Sequence, residues 1–227
     1  MNWFRYYILQ QRYTIQDLKN PKSILSEKDR SMVKILIIDN EDFTKENGLR
    51  RLGYNIQKYD DLESLEAAQA FHIIISDVSG VGVKLGSPQE GAFLLNQLRK
   101  KYPMKEFAVY SGKLYNTEMT ELIQGMNIIQ KDQTCDDWSE DIDTLIRKVT
   151  NPKQIWQRIA KTMIENDVPT SVLEKMEHEY VEVILDNKGD FSKFPSDNCK
   201  KNIDSNITGI IHSLVAGIVL LPFSATV

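Results

Sequence analysis

Residues 33–42 read Val-Lys-Ile-Leu-Ile-Ile-Asp-Asn-Glu-Asp. An unbroken apolar run of strand length, rich in β-branched side chains and stopped abruptly by acids, reads as a buried parallel strand whose carboxyl end opens into a polar site. The same signature recurs downstream. Residues 71–76, Phe-His-Ile-Ile-Ile-Ser, form a second apolar run and end in Asp77. Residues 54–59 alternate apolar and polar side chains, residues 107–110 lead into Ser111, and residues 127–130 lead into Lys131.

Helical patterns separate these runs. Phe43, Leu49 and Leu52 recur at helical spacing before Gly53, which suits the residue just past a helix end. Asp60 and Asp61 stand where caps would start a helix through Leu62, Leu65, Ala67 and Ala68. Further helices are expected through residues 92–101, 117–124 and 138–149. Five strands alternating with helices predict an α/β domain with a doubly wound five-stranded parallel sheet. In such sheets ligands bind at the carboxyl ends of the strands, near the switch in strand order.

Those ends carry the chemistry: Asp39 and Asn40 after the first strand, Asp77 after the third, Ser111 after the fourth and Lys131 after the fifth. Converging carboxylates repel unless a cation or a proton separates them. Hard oxygen donors suit Mg²⁺, which takes one or two carboxylates, a phosphate oxygen and several waters. A hydroxyl and an ammonium beside them suit the remaining oxygens of a transferred phosphoryl group. Asp77 would be the nucleophile, forming an acyl phosphate.

On these residues and this order of elements, residues 33–149 resemble the receiver domain of two-component response regulators, the flavodoxin-like, CheY-like fold. The resemblance implies that Asp77 is the phospho-acceptor, that Asp39 and Asn40 occupy the acidic metal pair, and that the Ser79 backbone carbonyl completes the Mg²⁺ ligands with Asp77. Ser111 is then the switch hydroxyl and Lys131 the phosphate-binding lysine. It implies a histidine kinase or phosphotransfer protein as partner, and no enzymatic activity beyond phosphorylation and dephosphorylation of its own aspartate. Three departures are visible. Asn40 has lost the charge of the second metal acid, so Mg²⁺ would be held weakly unless Glu41 or Asp42 compensates. The glycine-rich segment 79–91 is longer than usual and lacks the proline that follows the acceptor. Ile128 stands where an aromatic switch residue is usual.

The remaining segments read as extensions. Residues 1–31 begin with an aromatic cluster, Trp3 to Leu9, and run through Asn20-Pro21 into a polar loop. Asn151-Pro152 marks the end of the domain taken as 32–150. Residues 151–190 then read as a helical hairpin broken at Pro169, a contact module or half of a dimeric bundle. Residues 191–227 read as a polar linker and an apolar segment.

Charge limits what this region can do. The chain carries 28 Lys and Arg against 32 Asp and Glu, a net charge of -4. Residues 151–227 hold 8 basic against 10 acidic side chains, which leaves no basic recognition helix and argues against nucleic-acid binding. His178, among Glu177, Glu179 and Glu182, reads as a helix face rather than a metal site. Residues 205–227 carry no charged side chain, and the two readings are a membrane anchor and a buried helix. Cys135 and Cys199 match no metal-ligand spacing, which points to a reduced, cytoplasmic setting.

Overall fold

The computed structural model describes residues 13–20, 23–86, 88–112, 116–186, 189–201 and 203–221. The aromatic cluster from Trp3 to Leu9 lies outside the described residues. Strands β1 (Lys34–Ile38), β2 (Asn55–Tyr59), β3 (Ile73–Ser76), β4 (Glu106–Ser111) and β5 (Asn127–Gln130) form one parallel sheet in the order β2-β1-β3-β4-β5. Ile38 pairs with Tyr59 on one side and Ser76 on the other, and Ser111 pairs with Gln130. The strands therefore end together, with the reversal of order between β1 and β3.

The two-residue period of a strand divides the sheet's side chains between two cores. Ile35, Ile37, Ile73, Ile75, Ala108 and Tyr110 are buried on one face, together with Trp138, Ile142, Leu145 and Ile146 of helix α5 (Cys135–Val149). Leu36, Ile38, Ile74 and Val109 are buried on the other, with Leu94, Leu95 and Leu98 of α3 (Glu90–Lys101). Each such side chain contributes about 1.5–3 kcal/mol relative to exposure, so this patterning dominates the fold's stability. Local signals set the helix ends. Thr134 and Asp137 form a capping box at α5, and Asn116 accepts from Met119 N–H at the start of α4 (Thr117–Ile123). Gly53, past the end of α2 (Glu46–Arg51), has φ +91°, as a helix-terminating glycine requires.

One element differs from expectation. Between β2 and β3 there is only a 3₁₀ turn, Leu65–Ala68, in place of the predicted helix. Leu62 and Ala68 are buried, but Asp61 is not a helix cap. Its Oδ1 accepts from Leu62 N–H at 2.7 Å and from Gly82 N–H at 2.6 Å, which commits the segment to holding the β3–α3 loop. The glycine-rich segment itself makes a 3₁₀ turn, Val83–Leu85, with left-handed Gly82 and Gly86 at its ends.

The chain falls into two compact units: Pro21–Asn151 with Gly217–Val227, and Met1–Asn20 with Pro152–Ala216. In the sheet unit, α1 (Glu27–Met32) is secured by Arg30, whose Nε and Nη2 donate to Asp143 Oδ1 and Oδ2 at 3.0 and 2.8 Å. Tyr54 also donates to Asp143, at 2.6 Å, and Leu25 and Leu221 are buried in the same core as Trp138.

The other unit contains α6 (Pro152–Glu165), α7 (Thr170–Leu185), α8 (Asp197–Lys200) and α9 (Ser205–Ala216). Ile155, Trp156, Ile159 and Met163 of α6 are buried, as are Val172, Met176, Tyr180 and Val181 of α7, giving the expected helix pair its apolar faces. Trp156 and Tyr180 meet with ring centroids 5.2 Å apart. The stretch expected as linker packs here too: Phe191 and Phe194 lie against Tyr180, and Cys199 is buried. His178 has a definite role. Its Nδ1 accepts from Tyr13 N–H at 2.9 Å and its ring stacks on Tyr13, while Glu177 accepts from Ile15 N–H. In the apolar tail, α9 buries Ile211 and Leu214 and leaves most of its other side chains exposed, Ile210 among them. Among the described residues no helix is long and apolar enough to cross a membrane.

Candidate functional site

The carboxyl ends of β1, β3, β4 and β5 surround a cleft of about 400 Å³, lined by Asn40, Glu41, Asp77, Ser79, Gly80, Ser111, Gly112 and Lys131. Asp77 sits one residue beyond β3 and is buried. Its Oδ1 accepts from the backbone N–H groups of Val78 at 2.6 Å and Ser79 at 3.2 Å, and its Oδ2 accepts from Lys131 Nζ at 3.0 Å. One oxygen is thus fixed by the backbone and the other faces an ammonium on a partly exposed side chain. Two backbone donors and a cation offset the cost of burying a carboxylate.

Gly91 explains how the loop reaches this geometry. A Cβ there would stand 2.2 Å from the Asp77 carbonyl oxygen, so only glycine lets the first turn of α3 approach the acceptor strand's end. Glu90 accepts from Gly80 N–H at 2.6 Å, pinning the rim at a second point.

Lys131 also donates to Glu41 Oε2, at 3.1 Å, and its Nζ lies 5.6 Å from the centre of the Tyr110 ring. Partial burial works to lower the pKa of this ammonium. The hydrogen bonds to Asp77 and Glu41 outweigh it and leave the pKa raised, so Lys131 is a cation throughout the physiological range. Ser111 is buried at the end of β4 and presents itself to the cleft.

Of the metal ligands that the sequence points to, Asn40, Asp77 and Ser79 line the cleft and Asp39 does not. Asp39 is 1% exposed, accepts Glu41 N–H on Oδ1 at 2.9 Å, and accepts the Tyr110 hydroxyl on Oδ2. The tyrosine is walled in by Phe43 and Trp138, at 6.0 and 5.3 Å between centroids. Its hydroxyl pKa is raised far above the usual value, first by burial and then by the hydrogen bond to Asp39, so it remains a donor. Among the described residues no group of three or more His, Cys, Asp or Glu side chains is disposed to hold a metal ion. With Asn40 neutral, Asp39 engaged and both cleft carboxylates paired to Lys131, the donor set does not fit a tightly held divalent ion.

Two participants escape the strand-end pattern. Glu41 enters only because the loop after β1 turns back to Lys131. Tyr110 left one signal in the sequence: a phenol inside a buried strand needs a hydrogen-bond partner. Ile128, at the position of the usual aromatic switch, is 52% exposed on β5.

The order β2-β1-β3-β4-β5 with all strands parallel is the flavodoxin-like order, and the cleft lies at its switch point. The solved structures this chain resembles include receiver domains. Chemotaxis protein CheY4 of Vibrio cholerae is 17% identical with a TM-score of 0.42, over 50% of this chain and 98% of that one. A CheY-like receiver domain from Methanospirillum hungatei is 19% identical with a TM-score of 0.44, over 52% and 95%. The receiver domain of NtrX from Brucella abortus is 21% identical with a TM-score of 0.41, over 50% and 98%. No family model and no curated protein sequence matches the chain. The flavodoxin-like fold of the sheet unit rests on its own strand order and register.

Proposed function

We propose that this chain is a response-regulator-like signalling protein that accepts a phosphoryl group on Asp77 from a histidine kinase or phosphotransfer protein. The observation that carries the reading is the asymmetric holding of Asp77. Its Oδ1 is fixed by two backbone N–H groups, while Oδ2 faces an open cleft beside Lys131 Nζ at 3.0 Å. Oδ2 attacks the phosphorus of a phosphohistidine donor. The P–N bond breaks, its electron pair returns to the imidazole, which takes a proton from solvent, and an O–P bond forms to give an acyl phosphate.

Lys131 transfers its hydrogen bond from the carboxylate to a phosphoryl oxygen, and Ser111 provides a hydroxyl on the same side of the cleft. No step is routed through a metal ion. The output is a change in protein contacts made by the C-terminal helical region, which also offers surfaces for a homodimer, in a cytoplasmic setting and without DNA binding. The acidic balance of residues 151–227 supports that last point.

A second reading, a receiver-like adaptor that works without phosphate, is favoured by the double pairing of Lys131 to Asp77 and Glu41, which occupies the ammonium before any phosphoryl group arrives. Incubation with acetyl phosphate and Mg²⁺, followed by intact-mass and peptide analysis, separates the two. One acid-stable, hydroxylamine-labile phosphoryl group on Asp77, lost in Asp77→Asn, supports the acceptor. Unmodified protein, with function surviving Asp77→Ala, supports the adaptor.

A further inference from the structure

We propose that Tyr110 acts as a latch on Asp39, withholding that carboxylate from the cleft and so setting the low divalent-cation affinity of the acceptor site. Three observations carry this. Asp39 is almost wholly buried although it stands at the end of β1, where the register puts it beside the cleft. Both of its oxygens are engaged, Oδ2 by the Tyr110 hydroxyl and Oδ1 by Glu41 N–H. The tyrosine cannot swing away cheaply, because its ring packs against both Phe43 and Trp138, which also meet each other, and is faced by Lys131 Nζ at 5.6 Å.

The physical argument is one of competition. A Mg²⁺ ion demands charged oxygens at close, near-octahedral positions and gives up water reluctantly. At this site it would have to break a hydrogen bond to an ionised acceptor, which is among the stronger kinds, and displace an ammonium from Asp77 and Glu41. Asn40 offers only a neutral oxygen in return. The latch holds Asp39 and the lysine engages Asp77 and Glu41, so an entering cation competes with the chain's own donors for all three carboxylates.

A substitution that removes only the hydroxyl isolates the effect, since Tyr110→Phe keeps the ring against Phe43 and Trp138. The inference deepens the phospho-acceptor reading and rests on it for its significance. Its test uses unphosphorylated protein and no phosphodonor, so it succeeds or fails independently of Asp77 chemistry. The full chain is titrated with Mn²⁺, free ion being read by electron paramagnetic resonance, and with Mg²⁺ by calorimetry, for wild type, Tyr110→Phe, Asp39→Asn and the double variant. Tyr110→Phe is expected to bind Mn²⁺ about tenfold more tightly than wild type. Asp39→Asn should leave the wild-type affinity within about twofold and abolish the gain when combined with Tyr110→Phe.

Equal affinity in wild type and Tyr110→Phe, including undetectable binding by both, overturns the proposal. So does a large loss from Asp39→Asn alone, which would make Asp39 a ligand already. Near-ultraviolet circular dichroism of Trp138, which packs on Tyr110, checks that the variants keep the native core. Should Tyr110→Phe lose that signal, Tyr110→Leu, which likewise carries no donor, takes its place in the same titration and is held to the same outcomes.

Discussion

Lys131 Nζ stands 3.0 Å from Asp77 Oδ2, with the lysine side chain 33% exposed and the aspartate side chain 8% exposed. The pair is therefore unequal: the carboxylate is held in place by the fold, and the ammonium reaches it from the solvent side. Removing the ammonium leaves a buried carboxylate compensated by two backbone donors alone.

For Lys131→Met, the acyl phosphate on Asp77 should form at least about tenfold more slowly, because the cation that would meet the phosphoryl oxygens is gone. Thermal stability should fall, since the buried Asp77 carboxylate loses one of its three donors. A time course of phosphoryl incorporation from acetyl phosphate, run beside a melting curve, checks both parts. Unchanged incorporation would assign the phosphoryl contacts to other groups.

The partly buried Arg30–Asp143 pair and the exposed Arg50–Glu46 pair have similar N–O distances, both 2.8 Å, and should differ sharply in worth. Asp143→Ala takes the carboxylate from a guanidinium left with Leu52 O and from a phenol left with Ser139, and should cost about 3 kcal/mol. Glu46→Ala should cost no more than about 0.5 kcal/mol. Urea unfolding of the two variants gives the comparison directly.

Gly91→Ala would force a methyl group to within 2.2 Å of the Asp77 carbonyl oxygen, a backbone atom that cannot step aside. The expected cost is about 2 kcal/mol or more, with loss of phosphoryl acceptance as the end of β3 moves. Gly86→Ala meets no atom within 4 Å; its penalty comes only from φ +72°, and it should spare the acceptor. Melting temperature and phosphoryl incorporation together separate the two glycines.

His72, before β3, accepts from Lys34 N–H through Nδ1 at 2.9 Å. Burial, reinforced by the charges of Lys105 and Lys34, pushes its pKa down to about 4. The unfolded chain, with an ordinary value of about 6.5, binds the proton first as pH falls. Stability from this group is complete above about pH 6.5 and is lost as pH drops towards 4, by about 3 kcal/mol in all. Unfolding free energies between pH 4.5 and 7.5 should therefore fall more steeply for wild type than for His72→Gln. Parallel curves would remove His72 from the acid response.

The fold was legible because its determinants are local and repetitive. Apolar runs ending in Asp39, Asp77, Ser111 and Lys131 name both the sheet and the rim of its cleft, and the C-terminal helices announce themselves by apolar spacing and by Pro169. What stayed hidden depends on contacts distant in sequence. Asp61 looks like a helix cap until Gly82, 21 residues away, takes its oxygen. Asp39 looks like a cleft ligand until Tyr110, 71 residues away, claims it. His178 looks like part of a solvated face until Tyr13 lies on it. In each case the residue type was informative and the partner was not, since a carboxylate or an imidazole advertises its need for a hydrogen bond without saying which group will meet it.

The helical unit is assembled from two separated pieces of chain, one before the sheet and one after it. A cut at Asn151 would therefore not yield a clean cassette. The excised helices would arrive without Tyr13, the ring that stacks on His178, and the sheet left behind would lose Leu221 from its core. Each unit is threaded through the other along the chain, so exchanging either one takes cuts at two places rather than one.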